Sequence, residues 1–395
     1  MPSSYPPIDP PRRLLMGPGP SPVDPRVYEA MGRPVVGHLD PYFFQIAGEI
    51  HDLLDEVFGT ENNFTVAISG TGTSGMETAV CNFVESGTKV AVFANGYFCD
   101  RISDMVRRQG AELVRFEKPW GEVFDDGEAR GFLLRERPQV AAFVHAETST
   151  GALQRGEAIC QAAHEIGAFV IADTVTSLGN VPVNVDATGI DIAYSCSQKG
   201  LACPPGLAPV TISPRALDWL RKRGTMNRSF YLDLKLLDEY FLSAHRYHHT
   251  APVSMFYALR DALAIIHDEG VENRFQRIAR NHHAFVAGIE AMGLKMLVPE
   301  PHRLYPLNTP CVPDGVSDAK VRQRMLDRDG IEILGGFGPL AGKVWRIGIM
   351  GAGSTRENVL RVLDSLEEAL LAEGYQPNSS ARDGAEAYWA AAVGE

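Results

Sequence analysis

The chain has 395 residues, 45% of them apolar and 22% charged, an ordinary globular composition long enough for a large domain and a smaller one. A formal net charge of -12 leaves no basic excess to neutralise a nucleic-acid backbone, and no Lys/Arg run supplies a local one. Six scattered cysteines (Cys81, Cys99, Cys160, Cys196, Cys203 and Cys311) form no CxxC pair, which excludes a disulfide framework and points to reduced cytoplasmic thiols.

The opening stretch MPSSYPPIDPPRRLLMGPGP has too much proline and too short an apolar run for a signal peptide. No segment approaches the length of a membrane span, and the final AAVGE is no peroxisomal tripeptide. A cytoplasmic protein with no membrane partner is expected. The apolar runs FTVAIS (64 to 69), KVAVFA (89 to 94), VAAFVHA (140 to 146), AFVIAD (168 to 173) and DIAYSCS (191 to 197) predict strands of a mainly parallel sheet. Amphipathic stretches such as 100 to 109 and 156 to 165 predict crossover helices, so the class is α/β. From about Pro252 long helical patterns lead into strands separated by turns and a last helix near 356 to 372, a smaller α+β unit. The predicted organisation is an N-terminal arm (1–15), a large domain (16–265), a small C-terminal domain (266–375) and a flexible tail (376–395) in which Tyr388 and Trp389 could dock.

Within ISGTGTSGMETAVC (68 to 81), residues 70 to 75 match the glycine fingerprint of dinucleotide-binding folds. That reading needs a carboxylate roughly 20 residues on, at the end of the next strand, to bind a ribose. Here KVAVFA ends in Asn95-Gly96, and the acid is missing. A triphosphate-binding loop fails too, because no Gly-Lys-Ser/Thr follows. What remains is a strand, a Gly/Thr turn and a helix whose start is marked by Ser74-Gly75-Met76-Glu77, a capping pattern. Free amides there, with the hydroxyls of Thr71 and Thr73, make a cup for one phosphate; a tight turn without a ligand accounts for the same residues.

Two further strand ends bear on the choice. AFVIAD delivers Asp173 where open α/β sheets place ligand contacts, although such an Asp is also a common turn cap. DIAYSCS runs into Gln198-Lys199-Gly200, and a lysine desolvated there lowers its pKa and can form a Schiff base; an arbitrary lysine is a solvated loop charge. An anion cup, a strand-end Asp and a later strand-end Lys are together the parts pyridoxal 5'-phosphate requires. They hold the phosphate, keep the ring nitrogen protonated and bind the aldehyde.

The chain resembles the class V, fold-type I aminotransferases, and within them the alanine-glyoxylate and serine-glyoxylate group. The resemblance runs from LLMGPGPSPVDP through SGTGTSGMETA, NGYFCDR, HAETSTG, ADTVTSLG, YSCSQKGLACPPG, FYLDLKLL and YHHTAP to GKVWRIGIMG. It implies a fold-type I transferase with a mainly parallel-sheet large domain and a smaller α+β domain. It also implies pyridoxal phosphate as cofactor. Lys199 matches the Schiff-base lysine and the base that moves the substrate α-proton. Asp173 matches the partner of the ring nitrogen. Thr71, Gly72 and Thr73 match the phosphate cup, where many relatives carry Ser-Gly-His. Gln198 matches a phosphate or ring-side donor, Phe98 the aromatic ring stacked on the cofactor, and Thr148 a hydroxyl on its phenolic side.

HRYHHT offers His245, His248 and His249, but without a companion carboxylate or cysteine cluster a structural role outweighs a metal one, and no metal is expected. The resemblance has Tyr247 and Thr250 reach the cofactor phosphate of a neighbouring subunit, which makes a homodimer with shared active sites. Arg346, in the apolar VWRIGIM, suits a bidentate clamp on a substrate carboxylate, against an internal salt bridge as the alternative. Gly19, in GPGP, falls on the substrate side. No second arginine is placed for a distal carboxylate, which favours small donors. The implied reaction moves the amino group of alanine or serine to glyoxylate, giving glycine and pyruvate or hydroxypyruvate. Ureidoglycine transamination and a lyase or desulfurase are the alternatives within the cofactor class. Desulfurases typically place His before the lysine, where this chain has Gln198. A nicotinamide oxidoreductase is the rival outside the class.

Overall fold

Seven strands form the central sheet of the computed structural model, which describes residues 5–392. They are β1 (Phe64–Ser69), β2 (Lys89–Ala94), β3 (Glu112–Glu117), β4 (Val140–Val144), β5 (Phe169–Asp173), β6 (Ile192–Tyr194) and β7 (Leu207–Ile212). Their spatial order is β1-β7-β6-β5-β4-β2-β3. Only β7 runs against its neighbours, β1 and β6. The strands other than β3 are short apolar runs buried over nearly their whole length, as strands covered on both faces must be. β3 and β7 are additions to the predicted strands. The first is a half-exposed edge whose sequence ELVRFE alternates weakly, and the second carries Pro209.

The covering helices include α1 (Pro41–Phe58), α2 (Gly72–Phe83), α3 (Tyr97–Arg108) and α4 (Val253–Glu269). α1 shows how sharply such elements are bounded: Asp40 accepts from the Tyr42 amide, Pro41 occupies the first turn, and Gly59 closes the helix at φ 66°. α4 still feeds the large core through Ile266. From α5 (Val271–Ala291) onward a second core forms, closed by α6 (Arg356–Ala372) and by an antiparallel sheet in which β10 (Trp345–Gly348) lies between β8 (Leu307–Asn308) and β9 (Leu334–Gly335).

Two boundaries differ from the sequence reading. Met16 is buried in the second core, and Leu14–Leu15 pairs in parallel with Ile331–Glu332, so the start of the segment assigned to the large domain is tied to the small unit. The stretch expected to be a flexible tail contains a helix, α7 (Ala381–Ala392), with Ala381, Ala385 and Trp389 buried. Its small residues make a close-packing face. A Cβ on Gly288 of α5 would come within 2.7 Å of the Ala381 carbonyl, and one on Gly384 within 2.8 Å of the Ala287 carbonyl. Residues 1–4 and 393–395 of the predicted arm and tail lie outside the described residues. Among the described residues no helix is long and apolar enough to cross a membrane.

Candidate active site

Because β7 alone is reversed, β1, β2, β4, β5 and β6 point the same way and their carboxyl ends share one edge of the sheet. The Gly/Thr cup follows β1, Phe98 follows β2, Thr148 follows β4, Asp173 ends β5, and Gln198 and Lys199 follow β6. Backbone topology thus gathers residues spread over more than a hundred positions to the edge where α/β sheets bind ligands.

The cup begins one turn earlier than the capping pattern suggests. Thr71 is the N-cap of α2 with no side-chain cap bond, while Ser74, inside the helix, donates its hydroxyl to the Thr71 carbonyl at 2.7 Å. The Ser74 amide also donates to the Thr71 carbonyl (2.7 Å), which leaves the Gly72 and Thr73 amides without a carbonyl partner among the described residues, and the helix dipole adds positive potential there. A Cβ on Gly72 would sit 2.9 Å from Cβ of Cys196, so only glycine lets the loop close onto the Lys199 segment. Thr71 and Thr73 remain exposed at the rim. Phe98, half-buried in the first turn of α3, lies beside them under the Arg101 guanidinium, whose carbon is 4.9 Å from the ring centroid.

Asp173 is buried, accepts from the Val175 amide and from the Tyr194 hydroxyl (2.9 Å each), and has no ion-pair partner among the described residues. Burial pushes its carboxyl up to about 6 even though both donors pull it down. A buried carboxylate in this state calls for a cation, and a protonated pyridine nitrogen supplies one. Gln198 Oε1, at the same edge, is buried with no hydrogen-bond partner among the described residues. The residues present therefore fit pyridoxal phosphate: a buried acid with no ion-pair partner among the described residues for the ring, the Gly72 and Thr73 amides with the rim hydroxyls of Thr71 and Thr73 for the phosphate, and a partly buried lysine for the aldehyde.

Tyr194 escaped the sequence reading because its role depends on strand register, which places it directly beside Asp173. Replacing Tyr194 by Phe removes one hydrogen bond to the carboxylate and raises the Asp173 pKa further. The acid limb of the transamination pH profile is expected to move upward by about half to one unit, read from kcat/KM against pH. An unmoved limb would sink this role.

Lys199 Nζ donates to the Pro18 carbonyl. Ser21 grips the same turn, its amide on the Gln198 carbonyl (2.9 Å) and its hydroxyl on the Lys199 carbonyl (2.8 Å). Gly19, at φ 109°, approaches so closely that a Cβ there would lie 2.5 Å from Lys199 Nζ. Burial lowers the Lys199 pKa, and nearby Arg346 adds to the effect, which favours the neutral, nucleophilic amine.

Arg346, on β10, is 2% exposed. Its Nε donates to the Gly335 carbonyl (2.8 Å) and its guanidinium carbon lies 3.7 Å from the Phe337 ring centroid. Its two terminal nitrogens have no partner among the described residues, so the internal salt bridge considered from the sequence is absent there. Burial brings its pKa down to about 10, which leaves it charged at neutral pH.

Glu147 also went unnoticed, although it lies inside HAETSTG. It is fully buried, accepts from the Phe98 amide (3.2 Å) and from the Ser149 amide and hydroxyl (3.0 and 2.6 Å), and burial pushes it up to about 7. It fastens the start of α3, which bears Phe98, to the loop bearing Thr148. Thr148 shares a 2.6 Å hydrogen bond with Thr176.

Among the described residues no hydrogen bond joins Tyr247 or Thr250 to the cup of Thr71, Gly72 and Thr73 in their own chain. Tyr247 is 60% exposed with its ring against His38, and Thr250 is exposed. The neighbouring histidines form a hydrogen-bond chain: His248 Nε2 donates to the Phe230 carbonyl (3.0 Å), His248 and His249 meet through their Nδ1 atoms (2.8 Å), and His249 Nε2 meets the Ser69 hydroxyl (2.8 Å). Burial holds His249 down at about 4, so its ring is neutral. The chain anchors the HRYHHT segment to the end of β1, while His245 packs apart on Phe44.

Fold and site together define a pyridoxal-phosphate-dependent enzyme of fold type I. The profile of the family described as aminotransferase class-V matches residues 24–360. The chain is 37% identical over 379 residues to the (S)-ureidoglycine-glyoxylate transaminase of Bacillus subtilis (strain 168), covering 91% of each. It is 38% identical over 369 residues to the alanine-glyoxylate aminotransferase of Callithrix jacchus, covering 92% of this chain and 89% of that one. Among solved structures, the alanine-glyoxylate aminotransferase of Nostoc sp. superposes with a TM-score of 0.92 at 47% identity, over 93% of this chain and 97% of the other. The chain belongs to the class V aminotransferases.

Proposed function

We propose that the enzyme transfers the amino group of a small L-amino acid, alanine or serine, to glyoxylate, with glycine and pyruvate or hydroxypyruvate as products. Pyridoxal phosphate, when bound, would supply an aldehyde to take up the amino group and a ring that acts as an electron sink. Lys199 holds the aldehyde and moves the α-proton, and Asp173 keeps the ring nitrogen protonated. Thr71, Gly72, Thr73 and Gln198 receive the phosphate, Phe98 and Thr148 border the ring, and Tyr247 and Thr250 complete the phosphate site of a second subunit in a homodimer. Gly19 and the Pro18 carbonyl border the reacting carbon.

Arg346 carries the reading. A buried guanidinium whose terminal nitrogens have no partner among the described residues, and whose charge acts on Lys199, suits the carboxylate that every α-amino and α-keto acid presents. The aromatic wall of Phe337 and Tyr97, 5.1 Å apart, bounds the space beyond it and favours a short donor side chain. Ureidoglycine is the second candidate donor, supported by the Bacillus subtilis relative at 37% identity. The purified enzyme is expected to show a yellow band that L-alanine or L-serine bleaches and glyoxylate restores. Bleaching by ureidoglycine alone would transfer the assignment to that substrate, and bleaching by none of the three would refute the glyoxylate reading.

A further inference from the structure

Arg101 stands out among the cations near the sheet edge. It lies on α3, one turn beyond Tyr97 and Phe98, with its guanidinium carbon 5.5 and 4.9 Å from their ring centroids. Its NH1 group donates to Thr73 Oγ1, on the rim of the phosphate cup, at 3.3 Å. It is half-buried, and no carboxylate lies within ion-pair distance among the described residues. Nearby Arg108 and Arg115 are paired with Asp104 and Asp100, whereas the contacts of Arg101 are the two aromatic faces and Thr73. Burial raises the pKa values of Asp173 and Tyr194, and the Arg101 charge reaches across the edge and partly opposes that rise.

The rest of the cup is neutral: backbone amides, two threonine hydroxyls and the Gln198 amide. A phosphate monoester carries close to two negative charges at neutral pH, and a planar guanidinium matches its oxygens better than hydroxyls alone. We propose that Arg101 is the cationic partner of the cofactor phosphate, held in place by the faces of Tyr97 and Phe98 and handed to the cup through Thr73. The proposal rests on the pyridoxal-phosphate reading of the site and adds to it a residue that couples the aromatic cover to the anion cup. Arg101 would thus act in cofactor retention, leaving Arg346 to hold the substrate.

The test compares two probes that differ only in the phosphate. Dissociation constants of pyridoxal phosphate and of pyridoxal are measured by spectral titration of the apo form of wild type, Arg101→Gln and Arg101→Lys. Loss of a charge-assisted hydrogen bond should weaken pyridoxal phosphate by about 10- to 100-fold in Arg101→Gln, with pyridoxal changed less than about twofold and Arg101→Lys intermediate. Inorganic phosphate should raise the thermal midpoint of apo wild type more than that of apo Arg101→Gln. Equal weakening of both probes would assign Arg101 to packing on Phe98 and overturn the proposal, as would no change in either. Failure of wild type to bind pyridoxal phosphate would overturn the underlying cofactor reading, an outcome visible before any variant is compared.

Discussion

Replacing Lys199 by alanine is expected to reduce transamination by more than about 10³-fold while the protein stays folded. Among the described residues the side chain makes a single hydrogen bond, to the Pro18 carbonyl, and its turn is held instead by the Ser21 amide and hydroxyl on the Gln198 and Lys199 carbonyls. The substitution removes the amine that holds the cofactor aldehyde and the base that moves the α-proton. No neighbour can replace it: Arg346 stays charged at neutral pH, and burial raises the pKa of the Cys196 thiol to about 11. Two readouts separate this loss from misfolding. Reduction with borohydride should fix cofactor mass to the peptide containing Lys199 in wild type and to no peptide in the variant. Urea unfolding of the two apo proteins should agree to within about 1 kcal/mol, as expected when a side chain with one hydrogen bond is removed. A variant that kept a tenth of wild-type turnover would end the assignment.

The residues that could be picked out from the sequence share one property: their chemistry contrasts with their immediate neighbours. Asp173 ends five apolar residues, Lys199 follows a run of small ones, and Arg346 interrupts VWRIGIM, so each is conspicuous without any knowledge of contacts. Glu147, Tyr194 and Arg101 are conspicuous only in three dimensions. Tyr194 matters because register sets it beside Asp173, and Arg101 because α3 leans over a cup formed 28 positions earlier. The same distinction holds for the fold. β1, β2, β4 and β5 announce themselves as continuous apolar runs, whereas β7 hides behind Pro209, whose lost donor argues against a central strand. α7 was obscured because its glycine and alanines gain their packing value only from the close approach of α5.

A substitution far from any substrate contact should have the largest effect on stability. Arg274, on α5, is 2% exposed and donates to the Gly179 and Gly200 carbonyls at 2.9 and 2.6 Å and to Glu269 at 2.9 Å. It therefore ties the first helix of the small unit to the residue that follows Lys199. The contact is reinforced from the turn that follows β10: a Cβ on Gly351 would lie 3.2 Å from the Lys199 carbonyl, and the Gly351 amide donates to the Asn180 side chain. Arg274→Met keeps the bulk of the side chain but strands two buried carbonyls, and the loss is expected to reach about 3 to 5 kcal/mol. Arg277→Met is the control. Arg277 shares Glu269 and donates to the Ser354 and Gly351 carbonyls, but its side chain is 31% exposed and among the described residues it makes no bond to the Lys199 turn, so its loss should be smaller. Urea unfolding of the apo proteins measures both. If Arg274 acts as this brace, its variant should also lower kcat more than it raises KM, because the Lys199 turn loses its support while Arg346 keeps its place on β10. Equal stability of the two variants, or an Arg274→Met protein within about 1 kcal/mol of wild type, would show that the brace does not bear on the site.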